Sequence, residues 1–105
     1  MVAAILQQRD AQVAELCRRH HVRWLEVFGS AADGSFDPEK SDLDFLVEYF
    51  PLTPSEHYDA YFGLWEDLKN LFGRKIDLVE DGCISNPYVL RRVNESRRLV
   101  YDARS

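Results

Sequence analysis

The chain reads as a small α+β domain built around a mixed sheet, and three observations carry that reading. Hydrophobic β-formers (Val27 and Phe28, then Leu43, Phe45, Leu46 and Val47) flank a run rich in Gly, Ser, Asp and Pro, the pattern of strand, turn and strand. A second apolar run, Lys75-Ile-Asp-Leu-Val79, is short enough for one more strand. The segments on either side repeat their apolar residues with helical spacing.

Size and charge bound the function. With 105 residues, the chain is expected to be one domain, 1–105, with one core and no room for a second module. A net charge of −5 argues against nucleic acid as the main partner, because phosphate contacts need a basic surface. The longest apolar runs fall far short of the ~20 residues that span a bilayer, and no basic-then-apolar leader opens the chain. The expectation is therefore a cytoplasmic protein with no membrane partner. Cys17 and Cys83 have no metal or disulfide spacing and read as free thiols.

In chain order, Leu6, Val13, Leu16 and Cys17 predict one amphipathic helix over residues 3 to 20. The adjacent His20 and His21 diverge by about 100° on a helix and do not make a ligand pair. Val22–Phe28 is dense in β-branched and aromatic residues and delivers Gly29-Ser30 at its end. Glycine lets backbone approach a ligand, and Ser30 is expected to cap a short helix through Asp33, offering N–H groups to an anion. A polar, turn-forming connection follows from Gly34 to Ser41.

Asp42 and Asp44 alternate with Leu43 and Phe45, so on a strand they share one face about 7 Å apart. Two such carboxylates offer oxygen to a divalent cation; taken alone they also suit a solvated strand edge. Asp77 tips the balance, because a carboxylate between the core-facing Ile76 and Leu78 is costly unless paired or metal-bound. Thr53-Pro-Ser-Glu56 opens a helix with a capping box and Gly73 stops it. Its Tyr58, Tyr61, Phe62, Trp65, Leu68, Leu71 and Phe72 read mainly as core, with some rings left for a partner surface. Asn86-Pro87 opens a last helix over residues 88 to 101, with Val89, Leu90, Val93 and Val100 inward and Arg91, Arg92, Arg97 and Arg98 mostly outward, facing solvent, an acidic partner or the nucleotide.

Gly29-Ser30, eleven further residues and then Asp42-Leu-Asp44 entering an apolar strand resemble the signature of the DNA polymerase β-like nucleotidyltransferase superfamily. With the Ile76-Asp77-Leu78 strand and the final helix, nearly the whole chain resembles the minimal nucleotidyltransferases, the MntA-type antitoxins partnered by HEPN toxins. That resemblance implies the α+β polymerase β-like fold, a mixed sheet of three to four strands with helices mainly on one face. It also implies an enzyme, a protein adenylyltransferase that moves AMP from ATP to a tyrosine of a HEPN-type toxin. Asp42 and Asp44 would hold two Mg²⁺ ions, and Asp77 would join the second site and help deprotonate the acceptor. Gly29 and Ser30 would hold the β- and γ-phosphates, with Lys40 as a further nucleotide-binding residue and Arg74 and Lys75 as nearby cations. Two departures stand out: Asp33 occupies a position where the family often has arginine, and the loop before Asp42 is one residue longer. Two alternatives stay open, an antitoxin of weak catalysis that neutralises its toxin by binding, and transfer to a small molecule. Homo- or hetero-oligomers are compatible with either.

Overall fold

The computed structural model describes residues 2–104. Its sheet has the order β3-β2-β1-β4, with β1 (Val22–Phe28) antiparallel to both β2 (Leu43–Tyr49) and β4 (Arg98–Asp102), and β2 parallel to β3 (Ile76–Glu80). The parallel pair needs a crossover, and α4 (Pro54–Phe72) supplies it. The remaining helices are α1 (Ala4–Gln8), α2 (Asp10–Arg19), α3 (Ser30–Asp33) and α5 (Pro87–Ser96). This is the mixed α+β sheet that the sequence predicts.

Strand alternation divides the sheet into two faces. Leu43, Phe45, Val47 and Tyr49 of β2 meet Val22, Leu25 and Val27 of β1, together with Leu6, Val13 and Cys17 and the Ala60, Leu64, Leu68 and Phe72 seam of α4, in one core. An irregularity in the β1 ladder between Val22 and Trp24 shifts the alternation by one residue, which is why Val22 shares a face with Leu25. Asp44, Leu46 and Glu48 look the other way. Leu46 and Val93 are buried outside that main core, on the side that α5 covers.

Several expectations change at this level. The first helix is two, because Arg9 leaves helical geometry at φ −118° and ψ 18°. His20 shares Asp67 of α4 with Arg19, its Nε2 lying 2.6 Å from the carboxylate. Residues 88 to 101 do not form one helix. α5 ends at Ser96, Arg97 is extended at ψ 137°, and Arg98–Asp102 pair with the free edge of β1. Leu99-Val100-Tyr101 suits a strand, and the open ladder on β1 overrides the helical spacing. Val89 and Leu90, expected inward, are exposed; Val93 is the one buried position of α5.

The capping box of α4 forms as expected, with Thr53 accepting from the Glu56 N–H and Glu56 accepting from the Thr53 N–H, and Gly73 closes the helix in the left-handed region. Its buried seam runs through Ala60, Leu64, Leu68 and Phe72, however, and the aromatics flank it. Two of them have a structural task at the sheet edge. The Tyr61 hydroxyl donates to the Leu78 carbonyl at 2.5 Å and the Trp65 indole N–H to the Ile76 carbonyl at 3.0 Å, so polar tips on large apolar rings satisfy the unpaired edge of β3. Tyr58 and Phe62 remain exposed. Both cysteines are free, Cys17 buried with its thiol pushed up to about 12 by burial, and Cys83 exposed. No helix among the described residues is long and apolar enough to cross a membrane.

Candidate active site

The turn after β1 is set by one glycine. Gly29 sits at φ 70° and ψ −145°, and a Cβ built there would lie 2.7 Å from Oδ2 of Asp44. Both facts exclude a side chain: the backbone conformation suits glycine, and the space belongs to a carboxylate. The Gly29 carbonyl accepts from the N–H groups of Ala32 and Asp33, so Gly29 is the cap of α3 and Ser30 is its first helical residue. Ser30 makes no capping hydrogen bond, contrary to the expectation that it would be the cap. The reason is local: the carbonyl that closes the first turn belongs to Gly29, and the preceding strand ends at Phe28.

Ladder register then assembles the acids. Asp44 lies opposite Phe28 across the antiparallel pair and opposite Asp77 across the parallel pair, so all three side chains emerge on the same face. Asp44 and Asp77 are direct neighbours across the parallel ladder, so their carboxyl groups are close enough for one to donate to the other when it is protonated. Burial first, then that hydrogen bond and the charge of Asp77, then the charge of Asp42, push the Asp44 carboxyl up to about 7; Lys75 pulls weakly the other way. Asp44 therefore holds its proton up to near neutrality, and a cation bound beside it would displace that proton.

Asp42 stands apart, just ahead of β2, with Oδ2 3.8 Å from Lys75 Nζ at the surface. Among the described residues no three acid, histidine or cysteine side chains form a ready-made cation cage. That is compatible with magnesium, which keeps several waters and is usually bound through one or two carboxylates plus substrate phosphates. Asp44 and Asp77 supply hard oxygen donors and lack a neutralising cation of their own, so the chemistry of the pair fits such an ion.

A cleft of about 420 Å³ opens beside the pair, lined by Phe28, Gly29 and Asp44 on the sheet side and by Val89, Arg92, Val93 and Ser96 on α5. The Ser96 hydroxyl accepts from the Gly29 N–H at 3.1 Å and donates back to the Arg92 or Val93 carbonyl, tying α5 to the turn. The sequence offered the arginines of this helix to the nucleotide as one reading, but did not point to Val93 and Ser96 as a wall of the site. Its signal was present, since Val89 and Val93, and Arg92 and Ser96, each recur at i, i+4 and share a helix face. Asp33 also lines the cleft, its carboxylate held below the usual range by Ser35, whose hydroxyl donates at 2.6 Å and whose N–H donates at 2.9 Å.

The other basic candidates are placed differently from the expectation. Lys40 is exposed in the connection ahead of Ser41 and is not among the residues lining the cleft. Arg74 donates to the carbonyls of Ser41 (3.0 Å) and Pro38 (2.7 Å) and lies 4.9 Å from the Phe36 ring centre, which makes it the clamp of that connection. Lys75 faces Asp42.

Comparison with known proteins bears on the family and the fold. A family model described as "Nucleotidyltransferase domain" matches residues 10–100. The protein named "Putative protein adenylyltransferase MJ0128" of Methanocaldococcus jannaschii is 40% identical over 86 residues, 82% of each chain. A solved structure described as a "putative minimal nucleotidyltransferase" superposes with TM-score 0.64 at 30% identity, over 93% of this chain and 95% of that one. A chain from the complex of tri-AMPylated Shewanella oneidensis HEPN toxin with MNT antitoxin shares the fold at TM-score 0.62 and 17% identity, over 94% of this chain and 74% of that one. The chain belongs to the nucleotidyltransferase domain family, as a minimal member of it, and its fold is that of those enzymes.

Proposed function

We propose that this protein transfers AMP from Mg-ATP to a tyrosine hydroxyl of a HEPN-type toxin and so acts as an antitoxin. The observation that carries the reading is the Asp44–Asp77 pair, two carboxylates opposite each other on one ladder rung, with Asp44 beside a glycine turn at the mouth of a cleft. Support for the acceptor class comes from relatives named as protein adenylyltransferases and from fold neighbours solved with a HEPN toxin or with AMP-PNP.

Each residue then has a task. Gly29, with no side chain, lets the triphosphate approach the backbone at the start of α3, and the Ser30 hydroxyl adds a donor for the β- and γ-phosphates. Asp44 and Asp77, with Asp42 swinging in from Lys75, would hold two Mg²⁺ ions. Bound there, the ions would stabilise charge on the attacking and leaving oxygens of an in-line displacement. Asp77 would accept the proton of the acceptor hydroxyl as its oxygen bonds to the α-phosphorus, while the bond from the α-phosphorus to the bridging oxygen of the β-phosphate breaks and pyrophosphate leaves. The acceptor hydroxyl would be a tyrosine of the toxin, entering the open side of the cleft next to Asp44.

A binding-only antitoxin is the second reading, favoured by Asp33 and Glu95, two further acids lining the cleft that oppose a triphosphate. One experiment separates the two. The protein is mixed with ATP, Mg²⁺ and its toxin, and the toxin is weighed by mass spectrometry. An added AMP mass that disappears with Asp44→Asn supports transfer; a tight complex of unmodified toxin supports masking.

A further inference from the structure

Resting on the nucleotide-binding reading above, we infer that Arg92 of α5 is the cation that grips the triphosphate in this cleft. Charge accounting leads there. A triphosphate approaching Gly29 meets Asp33, Asp44 and Glu95 along the walls, and the turn from Ser30 to Asp33 contributes no basic side chain. Such a site needs a positive group opposite the carboxylates, in addition to any metal.

The neighbouring cations are already occupied. Lys75 faces Asp42 at 3.8 Å, Arg74 is spent on the carbonyls of Ser41 and Pro38, and Arg97 pairs with Glu26 and lies 3.6 Å from Asp81. Arg92 differs from all of these. It lines the cleft, and among the described residues its guanidinium has no ion pair and no hydrogen bond. An arginine left without an internal partner, beside acids it does not neutralise, is available for a ligand, and its planar fork suits two phosphate oxygens at once.

The backbone around it is held for the purpose. The Arg92 and Val93 carbonyls receive the Ser96 hydroxyl, and that same oxygen receives the Gly29 N–H. One serine therefore fixes the distance between the phosphate turn and the helical turn that carries Arg92. Arg91, its neighbour, points about 100° away around the helix and does not line the cleft. It is the natural control.

The test is calorimetric titration of the full chain with a non-hydrolysable ATP analogue and, separately, with inorganic tripolyphosphate, both with Mg²⁺. Arg92→Ala is expected to weaken both ligands by about 10- to 100-fold, the worth of a charge-assisted hydrogen bond or two. Arg92→Lys should recover part of that loss, Arg91→Ala should stay within twofold of the parent, and the ligand-free melting temperature of Arg92→Ala should be unchanged. The inference is overturned if Arg92→Ala binds both ligands as the parent does, or loses no more than Arg91→Ala. If the parent chain itself binds neither ligand, the nucleotide-binding reading falls and this inference with it, an outcome distinct from failure at Arg92 alone.

Discussion

Two regions of the same sheet treat their acids in opposite ways. Away from the cleft, each partly buried acid on the sheet or on α4 has a basic or proton-donating partner: Glu26 holds Arg97, Glu48 takes the Trp24 indole N–H at 3.1 Å and faces Arg23, Glu80 holds His57, and Asp67 holds His20 and Arg19. At the end of β1 the rule is reversed, and Asp44 and Asp77 face each other across a ladder rung. A chain that can neutralise its acids elsewhere, and leaves two together here, stores an unfavourable contact at one place. Such local conflict is expected where a ligand resolves it.

The comparison can be broken from the functional side first. Asp44→Asn should lower transfer of AMP to the toxin by about 10³-fold or more, since it removes a charge on which metal binding depends, and the intact mass of the toxin reads it. Gly29→Ala should act next. The added methyl meets Asp44 Oδ2 at 2.7 Å and the backbone is at φ 70°, so a loss of about 2 kcal/mol in urea unfolding is expected together with loss of transfer.

At the paired acids the sign is different. Arg97→Ala leaves the mostly buried Glu26 carboxylate without its partner, and should cost about 1–2 kcal/mol, less than for a fully buried pair because both groups keep some solvent. Removing a charge therefore weakens the protein at Glu26 and should strengthen it at Asp44. If both substitutions destabilise alike, the two regions are not different in kind.

Much of this was legible in the chain. The β1, turn and β2 sequence, the capping box at Thr53 and the carboxylate amid the apolar residues of β3 all follow from local pattern, while the register that seats Asp77 opposite Asp44 is set by how β2 and β3 pair. What local pattern could not reveal was set by distant partners. Arg98–Asp102 become a strand because β1 has an open edge, and α5 stops at Ser96 as a result. The role of Arg74 depends on carbonyls of Pro38 and Ser41, more than thirty residues away, and Asp42 meets Lys75 only because β3 begins beside it. Ser96 became visible only once α5 was seen to lie against Gly29.

The most direct measurement is the urea stability of the metal-free protein against pH, for the parent chain and for Asp44→Asn. Because the folded state raises the Asp44 carboxyl to about 7 from its ordinary value of 3.8, the folded protein holds the proton more tightly than the unfolded chain. Stability from this group is therefore full below about pH 4, is lost as pH rises through 7, and levels above it. The account predicts that decline in the parent chain, its absence in Asp44→Asn, and a more stable Asn variant at pH 8. A parent chain that gains stability between pH 4 and 7 while the Asn variant does not, or an Asn variant weaker than the parent at pH 8, would contradict it.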